Sequence, residues 1–229
     1  MRSFRETRFD VSMYAELSRR GARHVGLALL AMSAAGCAPR LRPLAGAPAP
    51  AARLPTPGIP IAPTKLVFDW QLDDPDFAAR GDGVARIVGP DSARLDFFVA
   101  GGLGNGVAVL IGDQLRAPGP DFVRRLVPPP PLLWAALGRL AVPPERDTVA
   151  RVDGELLRAD IGMPVRWRVT FRGDSLVRLE RVDGDRILEW VERTGGRLRY
   201  RHETSKRLLT LTIARTESSP PFDASIWRL

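Results

Sequence analysis

Hydrophobic and polar positions alternate through most of the chain from Lys65 onward. In KLVFDWQL, Leu66, Phe68 and Trp70 alternate with Val67, Asp69 and Gln71, the period of two that marks a half-buried strand. GVARIVG, ARLDFFVAG and GVAVLIGDQL follow, separated by the turn formers Gly89-Pro90-Asp91 and Gly101-Gly102. DFFV and VAVLI are apolar on both faces, so those strands are expected to be covered on both sides. Asp121 to Val127 predicts a turn or two of helix capped by Asp121 and stopped by Pro128 to Pro131. LLWAALGRL then places Leu133, Ala136, Leu137 and Leu140 at helical spacing. The last third reads as a meander, with strand-like runs over 148–160, 166–171, 176–182, 187–192, 198–202 and 208–214. Turn signals every eight to twelve residues between them indicate an antiparallel sheet. The pattern predicts an α+β fold, mostly antiparallel β: an incomplete barrel of about ten strands closed by one or two short helices. A sandwich is the alternative.

The first third is built differently. Arg19, Arg20 and Arg23 precede the apolar run Val25 to Ala35, and Gly36-Cys37 follows. A basic region, a short apolar core and small residues before a cleavage point form an export signal, too short to span a bilayer. Translation starting at Met13 would give the same signal a shorter basic region. LLAMSAAGC resembles a lipobox, although Ala34 stands where the usual leucine would be, and it assigns Cys37 as a lipidated N-terminus. Residues 38–64, dense in Pro and Ala, predict an extended spacer. The organisation expected is a signal peptide over 1–36, an anchor and tether over 37–64, and one folded domain over 65–229. Ala38 after the cysteine, where an aspartate would retain it, points by resemblance to other lipoproteins to the periplasmic face of the outer membrane.

Composition narrows the chemistry. The single cysteine excludes an internal disulfide. With only His24 and His202 besides, a His/Cys metal site cannot be assembled, so neither metal nor cofactor is expected. Net charge is +8, almost all from arginine, since lysine occurs only at Lys65 and Lys206. Six of the arginines, against three acids, lie in the first 36 residues. The remaining excess suits an anionic membrane surface and shows no reader motif for nucleic acid. GGLGNG lacks the following helix that a dinucleotide loop needs, and DDPD lacks the loop spacing of a calcium site. Glu189 and Glu192 show no acid/base spacing. The chain reads as a non-enzyme, with a hydrolase resting on His202 as the weakest alternative. Arg197, Arg199 and Arg201 on one strand, with Arg166 and Arg168 on another, mark either a basic strip or a solvated outer face.

The order of these pieces resembles the outer-membrane lipoprotein receptors and, more broadly, the LolA/LolB-like lipoprotein carrier superfamily. ARLDFFVAGGLGNGVAVL is similar to that family's strand–loop–strand, LLWAALGRLAVP to its helix, and RWRVTF with LVRLE to its later strands. Gly102 replaces the proline of the family's projecting loop. The resemblance implies a half-barrel whose apolar cavity holds acyl chains, and a loop, here Gly102, Leu103 and Gly104, that helps deliver cargo into the bilayer. It implies as partners the membrane, the acyl chains of lipoproteins or lipids, and a periplasmic carrier protein. Candidate cavity walls are Phe68, Trp70, Phe97, Val109, Leu133, Trp134, Leu137, Trp167, Phe171 and Trp190, with Phe98 beside them. The competing reading is a structural outer-membrane lipoprotein whose filled barrel binds a protein partner. Cavity volume separates the two.

Overall fold

The computed structural model describes residues 38–102, 104–119 and 121–228. Thirteen antiparallel strands form one open sheet: β1 (Ala47–Ala49), β2 (Thr64–Asp74), β3 (Phe77–Val88), β4 (Ser92–Val99), β5 (Asn105–Ile111), β6 (Gln114–Arg116), β7 (Val149–Asp153), β8 (Leu156–Ile161), β9 (Trp167–Arg172), β10 (Ser175–Asp183), β11 (Arg186–Thr194), β12 (Arg197–His202) and β13 (Arg207–Ser218). Their order is β1-β7-β8-β9-β10-β11-β12-β13-β2-β3-β4-β5-β6. β13 returns beside β2, so the meander and the first hairpins fuse into a single incomplete barrel. The run 148–160 is two strands, because Gly154-Glu155 turns the chain within it.

Alternation decides the faces. On β2, Phe68, Trp70 and Leu72 are buried while Asp69, Gln71 and Asp73 are exposed. The register carries that inner row across the sheet through Leu72, Leu209, Tyr200, Val191 and Leu179 in successive strands. Two short helices, α1 (Asp121–Leu126) and α2 (Pro130–Leu137), pack against this row. Pro130 and Pro131, expected only as a stop, open α2: the first helical turn needs no N–H donor, and proline's fixed φ suits it. Gly138, at φ 102°, ends α2. Its N–H reaches the Ala135 carbonyl at 3.1 Å and Arg139 N–H reaches that of Trp134 at 2.9 Å. Leu132, Leu133, Trp134 and Ala135 are all buried, so α2 is apolar around most of its circumference and lies inside the core. α1 approaches β5 so closely that a Cβ on Gly106 would sit 2.4 Å from Val123 Cγ2; only glycine fits beneath the helix.

The Pro/Ala-rich stretch departs from the spacer expected of it. Residues 38–64 lie along the domain. Ala38–Leu41 binds the β10–β11 turn, and β1 adds an edge strand to β7. Leu54 and Ile59 enter the core at 7% and 8% exposure. Backbone carbonyls of Pro57, Pro60 and Pro63 accept from the N–H groups of Leu140, Gly89 and Ser219 at 3.1, 3.1 and 2.9 Å. Proline lacks a donor but keeps its acceptor, so these prolines still fasten the strap through their carbonyls.

Candidate functional site

The inner face has an apolar part and a polar part. The apolar part is a seam between the sheet and the two helices, lined by Leu95, Phe97, Leu133, Leu137, Val191 and Leu209. Its free volume is about 30 Å³, room for roughly one water molecule. Phe97 is the centre of its floor. Its ring meets Phe68 edge-on at 5.8 Å and Trp70 at 6.1 Å, the geometry that aromatic quadrupoles favour. Trp134 is buried in the core beside the seam and donates Nε1–H to the Gly112 carbonyl at 2.6 Å, so its one polar atom is satisfied. Arg139 stacks over the same ring at 4.8 Å. At the far end of α2, the Arg193 guanidinium packs beneath Gly138, and burial lowers its pKa.

The candidate walls are distributed unevenly. Phe97, Leu133 and Leu137 line the seam. Phe68, Trp70, Trp134 and Phe171 are buried in the same core, and Trp167 is partly buried against it. Val109 and Trp190 lie on the opposite face of the sheet, which is a correction to their expected place. Val109 is paired with Arg94, whose Nη1 donates to the Ile226 carbonyl at 2.7 Å and holds the C-terminal segment there. Trp190 pairs with Glu180 and Arg201 on the outer face. Arg178 stacks over its ring at 4.0 Å, and its Nε1–H reaches Glu203 at 2.7 Å. Alternation gives two faces but not their orientation, and a large aromatic covered by arginines scores as buried on either. Phe98 points outward at 46% exposure.

Gly102 and Gly104 form an exposed turn at the tip of the β4–β5 hairpin, closed by Val99 N–H to the Gly104 carbonyl at 2.9 Å. Leu103 and Cys37 lie outside the described residues. Of the arginine row, Arg166, Arg168 and Arg201 pair with Glu145, Asp160 and Glu203, and Arg199 lies over the Trp190 ring. Arg168 grips Asp160 through Nε and Nη2 at 2.6 and 2.8 Å, and Arg178 bridges Glu180 and Glu192 at 2.8 Å each. Those residues are a ladder of opposite charges across strands. His202 Nδ1 is 3.1 Å from Ser205 Oγ and 3.2 Å from Ser205 N, a local contact within one turn.

Sequence patterning missed the polar part. Glu189 is 1% exposed; its carboxylate accepts from Arg181 Nε at 2.5 Å and from the Tyr200 hydroxyl at 2.6 Å. Burial, reinforced by the Glu189 charge, pushes the Tyr200 phenol well above its ordinary range. Beside it Arg207 Nε donates to Asp74 at 2.9 Å and Arg207 Nη1 to the Arg125 carbonyl at 3.3 Å, tying α1 to β2 and β13. The Arg207 hydrogen bond is the chief reason the Asp74 carboxyl sits below its ordinary value; the Asp76 N–H and the Arg125 charge add to it, against burial.

A carboxyl held low stabilises the fold fully above the ordinary carboxylate range, near pH 4, and loses that contribution as pH falls through its folded value. Asp74→Asn is therefore expected to be less stable at neutral pH and to lose less on acidification than the native chain. Urea midpoints between pH 6 and 2 test this. Parallel acid limbs in the two proteins would remove Asp74 from the acid response.

No family model matches the chain, and no curated protein does. Among solved structures it is similar to a LolA superfamily protein from Nitrosomonas europaea, at a TM-score of 0.45 and 11% identity over 74% of this chain and 91% of that one. It is also similar to a domain described as an outer-membrane lipoprotein-sorting protein from Vibrio parahaemolyticus, at 0.45 and 6% over 74% and 90%. A third likeness is to a DUF1329 family protein from Desulfovibrio piger, at 0.39 and 10% over 73% and 90%.

Proposed function

We propose that this is an outer-membrane lipoprotein, anchored through Cys37, whose domain accepts the acyl chains of lipoproteins or lipids between the sheet and the α1–α2 pair. The proposal includes delivery by a periplasmic carrier, a membrane-directed hairpin tip at Leu103, and no catalytic chemistry. The observation that carries it is the seam. Leucine, valine and phenylalanine line both its walls, and the cover is two short helices between Pro-rich connections. With about 30 Å³ free, the seam is closed, so a chain enters as the helices leave. The exchange is balanced: each methylene taken from water gains about 0.8 kcal/mol, offsetting apolar contacts that the displaced helices give up. Chain length would then set affinity.

The small free volume also favours a second reading, a filled scaffold lipoprotein that binds a protein partner. Native mass spectrometry of the Cys37→Ser chain separates them. The carrier reading expects co-purified or added fatty acid on the protein, lost in Leu137→Glu, a half-buried position where a charge spoils the seam while circular dichroism keeps the β signal. A bare mass with no uptake of fatty acid or acylated peptide would sink the carrier and leave the scaffold.

A further inference from the structure

The chain is fastened to the sheet from Pro39, two residues after the proposed anchor. Ile187 N–H donates to the Pro39 carbonyl at 3.0 Å, Leu41 N–H to that of Asp185 at 2.7 Å, and the Arg40 backbone pairs with that of Arg186 as an antiparallel β-bridge. Next, the Arg42 carbonyl accepts from Arg168 Nη1 at 2.7 Å, and Arg168 is itself clamped by Asp160. Consecutive Cα atoms are about 3.8 Å apart, so the stretch of chain from the proposed anchor to Pro39 can span no more than about 8 Å. An acyl anchor at that point leaves no spacer between bilayer and domain.

We infer that the end of the sheet carrying the β8–β9 and β10–β11 turns rests directly on the bilayer surface. The inference depends on the reading of Cys37 as the anchor. The exposed chemistry of that end is independent of it and fits. Val182 N–H donates to the Arg166 carbonyl at 2.8 Å, which sets the β8–β9 turn beside the β10–β11 turn. Met163, at the tip of the former, is 72% exposed. Arg40, Arg166 and Arg186 stand exposed at the same end, Arg40 and Arg166 with Asp185 and Glu145 as partners, while Asp147, Asp160 and Arg151 share a surface hollow with Met163. An exposed long apolar side chain at an end that also presents arginines matches the boundary of headgroup and acyl region, where methionine enters the apolar layer and guanidinium groups reach phosphates. The β9–β10 and β11–β12 turns, at Gly173-Asp174 and Gly195-Gly196, lie at the other end of the same strands and face away.

In a processed lipoprotein the anchor sulfur is a thioether, so an introduced cysteine is the only free thiol. Met163→Cys and Asp174→Cys, each labelled with an environment-sensitive dye, would be reconstituted as the lipidated chain in phosphatidylethanolamine/phosphatidylglycerol vesicles. Headgroup-borne spin labels are expected to quench the residue-163 dye several-fold more than the residue-174 dye. Equal or reversed quenching in vesicle-bound protein overturns the orientation and leaves the anchor standing. A processed chain that does not float with vesicles overturns both.

Discussion

Replacing Glu189 with alanine is expected to lower the free energy of unfolding by about 3–5 kcal/mol, the cost of breaking a buried ion pair from one side. The carboxylate is enclosed, and both its oxygens are used, one by Arg181 and one by Tyr200. Removal strands a buried phenol and a guanidinium. Arg181 is 41% exposed and recovers part of its loss from water, which places the result toward the lower end. Tyr200→Phe removes only the hydroxyl and leaves the carboxylate its arginine, so about 1–3 kcal/mol is expected. The two losses will not add, because they share one hydrogen bond. Urea unfolding of both single variants and the double variant checks this. A Glu189→Ala loss below about 1 kcal/mol would mean that water replaces the carboxylate and the cluster is not sealed.

Such a cluster was hidden from the sequence for a definable reason. RILEWVERT and LRYRH show Glu189 and Arg201 as equivalent polar positions, and the outward reading is the safer one for each. Register makes them different: Glu189 shares its face with Val191, while Arg201 pairs with Trp190 on the other side. The strands themselves were legible, because alternation over β2, β4 and β9 to β13 is a local property that long-range pairing only confirms. The apolar helix was legible for the same reason. The faces of Val109 and Trp190 were not, since burial on the outer side comes from the C-terminal segment and from stacked arginines, distant in sequence. The strap was misread on composition. Leu54 and Ile59 stand five residues apart among Pro and Ala, too sparse for any period, and the carbonyls that fasten the stretch carry no side-chain signal.

Deleting residues 38–64 is expected to destabilise the domain by several kcal/mol. A detached spacer would cost nothing. Burying an aliphatic side chain is worth about 1.5–3 kcal/mol, so losing Leu54 and Ile59 removes about 3–6 kcal/mol before any hydrogen bond is considered. The deletion also exposes the acceptor-seeking N–H groups of Leu140, Gly89 and Ser219 and bares the edge of β7. Against this stands the entropy of ordering the strap, about 1 kcal/mol or more per residue for an ordinary chain and less where proline has already fixed φ. That restriction is why a Pro-rich sequence makes a serviceable strap: little freedom remains to be lost. The variant Leu54→Ser/Ile59→Ser keeps the backbone contacts and isolates the apolar share. Thermal and urea unfolding of the three proteins, all with Cys37→Ser, give the comparison. If the deletion unfolds at the native midpoint, the strap is energetically a spacer after all, and the bilayer-facing end inferred from its attachment loses its support. If the deletion falls well below the double variant, the carbonyl bonds and the β1 edge hold the remainder. The chain would then be fixed to its sheet from Pro39 onward, and, if Cys37 is the anchor proposed above, the domain would move on the membrane as one body with that lipid.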